Sequence, residues 1–516
     1  MKLIYTLLLL LCTFTLAQAQ QPTAPDTINP LQGNRELQLK LIKARKEKLF
    51  TDSTAAANAG KQQLDTTRLT SYGDLLHDDP TYNPRQPLWK PAAQVIGINA
   101  IFMGFNRFVT DQEYGRISPS TWKTNLTTAP EWDTDGFRVN FIGHPYQGNL
   151  YFNAARSQGY NYWQSLPFAV AGSLTWEYFG ETTLPSYNDM IYTPLNGAAL
   201  GEIFYRVSSN ILDDRTRGRE RVIREVAAGL VNPVRGLNRL LQGKTRQVTN
   251  TEVYEKDPMN ITLFAGVHRL NEEENDVFGE GRNNLMLNVQ LDYGNPYEAN
   301  KPFDLFRLRS EFSFGKADTV GGTINNLTGY GLLTGRASKV GSMDVLAGAF
   351  QYYDYWDTRN FVLGALGFGG GIFTRLPLSN QVNLHTNAHL GLIPLAGNST
   401  RSAPDSLGLR DYIFANGLQA KVESTLSLGK YASVAFVYYH FWIKTFEGLD
   451  GHNSIGIIRP RATVRLFKNL SIGYEHFGYT TNRHLSDFAD QNATITDQKI
   501  FLQLFLENPQ RRGRYN

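Results

Sequence analysis

Four side chains in the first half of the chain, His144, Glu177, Asp189 and Glu202, stand among apolar residues where a charge needs a reason. A charge on an apolar helix must be paired, liganded or wet, because burying it alone is costly. If the four converge on one polar pocket, His144 would serve as general base and a carboxylate as its acid partner. That is chemistry for an ester or glycosidic bond at a membrane. Arg156, Tyr146, Tyr151 and Trp176 would then line the substrate side.

One imidazole with two or three carboxylates is also a donor set for a divalent metal. The chain carries no H-E-x-x-H and no paired-His spacing, however, so no metal and no cofactor is expected. Ser157, Ser165 and Ser173 lack the G-x-S-x-G setting of an elbow nucleophile. Each residue also has a plainer reading. His144, before Pro145, would cap a helix or bond the backbone, and Asp189 would cap the helix opened by Ser186. Arg156 would pair with Glu177 across helices, and Glu202 with Arg206 one turn on.

Helices must hold these groups. An apolar run over 92–109 predicts the first, and "NLYFNAARSQG" the next, stopped by Gly159. "WQSLPFAVAGSLTWEYFG" is apolar nearly all round and ends at Gly180. A further helix runs from Ser186 to Leu212, with Gly197 and Gly201 placed for close helix packing. "RERVIREVAAGLVNPVRGLNRLLQG" supplies one or two more. The apolar helix is shorter than the ~20 residues of a membrane span.

The ends of the chain indicate compartment. Lys2, the apolar run Leu3–Leu16 and Ala17-Gln18-Ala19 read as a secretory signal peptide over 1–19. The one cysteine, Cys12, lies inside it, which leaves the mature chain without a disulfide, a thiolate site or a Cys nucleophile. Residues 20–90 read as polar linker, with a short amphipathic helix over 37–50, and 509–516 as a basic tail. A formal net charge of +4 gives no field for nucleic acid, which is excluded as a partner.

After Val253 the period changes from helical to two. Leu285, Leu287, Val289 and Leu291 alternate with Met286, Asn288, Gln290 and Asp292; Ile458, Ala462 and Val464 alternate with Arg459, Arg461 and Thr463. About twelve such segments lie between 259 and 507, each near the ~10 residues a tilted strand needs to cross a bilayer. A soluble sandwich has the same local pattern. Two features favour a membrane barrel: Arg, Glu, His and Asn recur at mid-strand, as a wet lumen wants, and an uninterrupted antiparallel meander can close its own edges.

Residues 92–243 resemble a bacterial envelope family known as a domain of unknown function, found ahead of predicted outer-membrane barrels. The likeness rests on "NRFV", "WDTDGFRVNFIGHPYQGNLYFNAARSQG", "WEYFGE", "PSYND", "GAALGE" and "NPVRGLNRLLQG". It implies architecture and no activity.

The expected fold is α+β: a helical domain over 91–245, then an antiparallel transmembrane β-barrel of about twelve strands over 250–508. The expected protein sits in the bacterial outer membrane, its helical part periplasmic or in the lumen, with a structural, binding or transport-related role. Outer-membrane lipid is the expected partner, with lipopolysaccharide or envelope glycan as further candidates. The first alternative is an outer-membrane enzyme acting on lipid, lipopolysaccharide or glycan through His144 and the carboxylates. The second is a soluble periplasmic ligand-binding barrel.

Overall fold

A computed structural model of the chain describes residue 78 and residues 82–271, 281–315, 323–358, 360–400, 412–486 and 488–507. The expected signal peptide, the helix over 37–50, the linker up to residue 77 and the basic tail lie outside them. The chain divides into two compact units. One takes residues up to Glu131 together with Pro145–Lys256; the other takes Trp132–His144 and everything from Asp257.

Seven α-helices occur among the described residues: α1 (Trp89–Phe108), α2 (Pro119–Thr127), α3 (His144–Arg156), α4 (Tyr162–Phe179), α5 (Tyr187–Ile211), α6 (Gly218–Val231) and α7 (Pro233–Leu241). Their ends follow from local chemistry. Asn161 and Gln164 form a reciprocal capping box at the start of α4, each side chain accepting from the other's backbone N–H at 2.9 and 3.1 Å. Asn232 accepts from Arg235 N at 3.0 Å and Pro233 fills the first helical position of α7, which is why the run splits there.

Helix α5 is buried along most of its length and forms the spine of the helical unit. Its contact with α3 is made by two glycines facing each other. A Cβ on Gly148 would lie 2.0 Å from the Thr193 carbonyl oxygen, and one on Gly197 would lie 2.5 Å from Gly148 itself. Because backbone rather than a flexible side chain blocks the space, Gly197→Val should destabilise the helical unit by about 1–3 kcal/mol. Thermal unfolding followed by helical circular dichroism checks this; an unchanged midpoint would mean the two backbones are not in contact.

The second unit is a closed barrel. Strands β1 (Met259–Asn271), β2 (Gly281–Tyr293), β3 (Phe306–Phe314), β4 (Thr323–Val340), β5 (Met343–Asp357) and β6 (Phe361–Ser379) pair in chain order. Strands β7 (Val382–Thr400), β8 (Ile413–Leu428), β9 (Ala432–Glu447), β10 (Gly451–Phe467), β11 (Leu470–Leu485) and β12 (Phe488–Glu507) continue the series. Antiparallel pairing of Asn260 with Glu507 through Leu270 with Asp497 joins β1 to β12. No strand keeps a free edge.

Ion pairs between strands that are not neighbours identify the inner face. Lys499 on β12 meets Glu311 on β3 at 2.6 Å, and Arg309 on β3 meets Glu423 on β8 at 2.8 Å. Strand alternation then puts Leu390, Leu392, Trp442, Val464 and Ile500 outside, where all are exposed.

Residues Trp132–His144 form a strap that packs on the outer wall near the β5–β6 and β7–β8 connections. Tyr355, Gly364, Gly397 and Phe414 are register partners in one outward row. The Phe141 ring lies on the two glycines, so close that a Cβ on Gly364 would be 2.1 Å and one on Gly397 2.3 Å from it. Phe137 stacks on Tyr355 with ring centroids 5.5 Å apart, and Trp132 sits 4.9 Å from both Phe414 and Phe446. Tyr353 donates to the Phe141 carbonyl at 2.6 Å, and Arg138 holds Asp357 at 2.7 Å. Gly364→Leu should therefore lift the strap while leaving the barrel closed. The expected signature is faster chymotrypsin cleavage after Phe137 or Phe141 than in the wild type, in a chain that still migrates as a folded barrel on an unboiled gel.

Candidate functional site

The structure sorts the residues singled out in the sequence into three places. Glu177 and Asp189 meet on Ser186. The Ser186 amide donates to Glu177 Oε2 at 2.9 Å, and its hydroxyl lies 3.0 Å from that oxygen and within hydrogen-bond reach of Asp189 Oδ2. The N-terminus of α5 is thus held by a carboxylate from α4, where a local capping box was expected.

Glu202 belongs to a different cluster. Arg156 grips it through Nε at 2.7 Å and Nη2 at 3.1 Å, and Arg206 adds a third contact at 2.9 Å. The expected Arg206 pairing is present; Arg156 pairs with Glu202 and not with Glu177. Burial opposes the Arg156 charge, but the Glu202 carboxylate more than offsets this and holds its proton affinity above the usual arginine value. With both oxygens engaged by guanidinium groups, Glu202 is built as an acceptor. Glu202→Gln strands two buried cations and should cost the helical unit about 3–5 kcal/mol, read as a lowered unfolding midpoint.

The aromatic candidates for the substrate side all lie in the helical unit. Tyr151 and Trp176 are buried, Tyr151 donating to Asn99 Oδ1 and accepting from Gln147 at 2.6 Å. Trp176 meets Phe102 edge-on with centroids 5.9 Å apart, and Tyr146 is half-buried. His144 starts α3 and is the last residue of the strap; its Nε2 lies 3.7 Å from Asp135 Oδ2.

A further polar cluster in the helical unit carries no role in the sequence reading. Asp214 binds Arg239 at 2.9 Å and Arg221 at 3.1 Å and accepts from Tyr254 at 2.7 Å. Next to it Lys244 donates to Asn83 at 2.6 Å; burial, and then the neighbouring Arg239, push its ammonium down to about 8 from 10.5. The folded chain then releases this proton near pH 8, whereas the unfolded chain keeps it to about 10.5. Between those values the unfolded state binds more protons, so stability rises with pH. Wild-type protein should gain stability relative to Lys244→Met between pH 7 and pH 9.5, measured by helical unfolding midpoints. A constant difference would show that Lys244 titrates normally.

The barrel interior holds a large cavity. It has a volume of about 820 Å³ and lies at the end where β1 begins and β2 passes into β3. Tyr293, Tyr330 and Phe373 supply aromatic walls, and Asp292, Arg307 and Glu423 supply charge. Arg307 spans the floor, bonded to both Asp292 and Glu423. Behind it Arg309 binds Glu423 at 2.8 Å and Tyr439 at 2.9 Å, and Lys421 binds Asp354 at 2.6 Å. A void of only about 10 Å³ remains there, between Arg309, Lys421 and Tyr439.

Beyond this ionic layer aromatic rings bridge the lumen. Trp356 on β5 meets Phe477 on β11 with ring centroids 6.4 Å apart, although five strands lie between them on either side of a ring of twelve. Phe361 on β6 likewise meets Tyr479 on β11 at 5.8 Å. Leu363, Ile393, Phe441, Ile443 and Ile455 complete a buried cluster around them.

Residues 129–234 match the family model described as Domain of unknown function (DUF3943). That stretch runs from the strap to the start of α7 and contains most of the motifs on which the resemblance rests. No curated protein matches the chain. Among solved structures, the outer membrane channel DcaP of Acinetobacter baumannii aligns at 8% identity over 48% of this chain and 96% of its own, with a TM-score of 0.22. An outer membrane channel from Pseudomonas putida F1 aligns at 10% identity over 49% and 95%, with a TM-score of 0.29. OmpT of Vibrio cholerae aligns at 7% over 48% and 97%, with a TM-score of 0.20. Likenesses with TM-scores this low carry no weight for this chain.

Glu423, Glu311, Arg459 and Arg461 were readable as lumen residues from mid-strand polarity. Arg307, Arg309, Asp354 and Lys421 share that signal. Asp133 and Asp135 precede His144 by eleven and nine residues, in a segment with no helical or strand period to mark them as its neighbours.

Proposed function

We propose that the chain is an outer-membrane β-barrel whose lumen is closed to free diffusion and whose cavity is a binding chamber for a small polar ligand. One observation carries this reading: the wall is apolar outside and ionic inside. Leu390 is 72% exposed, Leu392 64% and Ile500 61%, while Glu311 and Lys499 on the inner face are 1% exposed. At about 25 cal/mol per Å² of apolar surface, such a wall is unfavourable in water and matched to lipid hydrocarbon. Outer-membrane lipid is then the partner of the outer wall. Exposed Trp442, Tyr438 and Tyr474 suit the zone where hydrocarbon meets headgroups.

The ionic floor and the aromatic bridge argue against an open pore. The cavity instead offers aromatic faces, the paired charges of Asp292, Arg307 and Glu423, and Arg375, which stands 5.1 Å over the Tyr297 ring. A sugar, a lipopolysaccharide fragment or another polar envelope molecule fits that chemistry. The commitment of Glu202 to two guanidinium groups weighs against the acid–base alternative.

Fractionation and electrophysiology test the proposal together. The chain should enter the outer-membrane fraction, migrate faster unboiled than boiled, and give no steady conductance in a planar bilayer. Trp356→Ala with Phe477→Ala should open a measurable conductance. Recovery in a soluble extract would remove the membrane reading, and a steady wild-type conductance would remove the closed lumen.

A further inference from the structure

We propose that the strap carries a binding site for a first-row divalent transition ion, formed by Asp133, Asp135 and His144. The side chains come from the two ends of one short segment, yet their donor atoms all lie within 4.8 Å of one another. A hydrogen bond between His144 and Asp135 would be at most ~3.2 Å long. The observed Nε2–Oδ2 separation is 3.7 Å. Two ligands on one ion, each ~2.1 Å from it, are held about 3–3.5 Å apart, so the spacing is close to that of a shared ion.

The surroundings support the same reading. Asn140 donates through Nδ2 to Asp133 Oδ1 at 2.7 Å, and Tyr412 donates to the Asp135 carbonyl at 3.0 Å, which fixes both segments that present the carboxylates. Asn140 is 2% exposed, and the Oδ1 of that same amide has no hydrogen-bond partner among the described residues. The Asn140 amide thus adjoins Asp133, with an oxygen that no other described group engages. The Asp135 side chain is 55% exposed and the His144 side chain 11%, so an ion could enter from solvent and keep an open position.

The donor set indicates the class of ion. Imidazole nitrogen with carboxylate oxygen suits zinc and its first-row neighbours, whereas calcium and magnesium prefer oxygen alone. Such an ion would tie the first turn of the strap to its last residue. It would thereby fasten the Phe137 and Phe141 side chains against the barrel wall.

Full-length chain folded in detergent and stripped with a chelator should be titrated with Zn²⁺ by calorimetry. One equivalent should bind with an affinity that falls at least tenfold in Asp135→Asn and is lost in His144→Gln. Zn²⁺ should also slow chymotrypsin cleavage after Phe137 and Phe141 in the wild type and not in the variants. Asp135 is exposed, so Asp135→Asn should keep the folded mobility on an unboiled gel, and it decides the matter alone if His144→Gln does not fold. A control is needed because the His452 and His484 rings lie only 5.0 Å apart elsewhere on the barrel. His452→Asn with His484→Asn should retain the one equivalent. The proposal fails if the wild type binds no Zn²⁺, if Asp135→Asn binds as the wild type does, or if the histidine-pair variant loses the site.

Discussion

Pairing Ile261 with Leu506 and Val267 with Ile500 returns the sheet on itself, and closure gives every strand one inner and one outer face. The inner face of a twelve-strand ring cannot be left empty without a channel, and it cannot hold lone charges. Here charges on the inner face are matched between strands: Lys499 with Glu311, Arg459 with Glu475, Lys421 with Asp354, and Arg307 and Arg309 with Glu423. Each partner comes from another strand, so every pair also fixes a register. Slipping one strand by one residue would turn its charges to the outer face and drive its leucines inward.

The helical unit meets the same constraint by local means. Arg156, Glu202 and Arg206 form a buried triad with one carboxylate between two cations, and Asp214 plays that role for Arg221 and Arg239. Such clusters add little net stability over well-packed apolar residues, because desolvation consumes most of the Coulomb gain. They do penalise wrong arrangements, since any packing that separates the partners strands a charge. The polar residues that first suggest catalysis in the sequence therefore act in large part as packing instructions.

Period-two alternation between 259 and 507 was enough to read twelve strands, because side-chain direction alternates at every residue and each hairpin needs turn residues. The helix stops at Gly159 and Gly180 are equally local. What the sequence does not display is any pairing that depends on how elements come together. Glu202 and Arg206, one turn apart, could be read; Arg156, forty-six residues from Glu202, could not. Ser186 looked like the cap of its own helix, and the carboxylate that holds its amide arrives from α4. The strap lacks a repeating pattern altogether, so nothing in its residue order shows that Phe141 lies on Gly364 and Gly397 or that Asp133 and Asp135 return to His144.

The two layers that close the lumen differ in kind, and the difference bears on any passage through it. Arg307 between Asp292 and Glu423 is an ionic contact at the base of an open cavity, and a charged ligand there competes for the same groups. It can exchange partners at modest cost, because each charge broken from one group is taken up by another. The Trp356–Phe477 bridge offers no such exchange. Opening it would expose buried aromatic surface with no compensating partner, and a ligand held in the cavity touches neither ring. On the reading proposed above, ligand charge would rearrange the first layer and leave the second closed, the behaviour of a chamber that holds its ligand rather than of a channel gated by it.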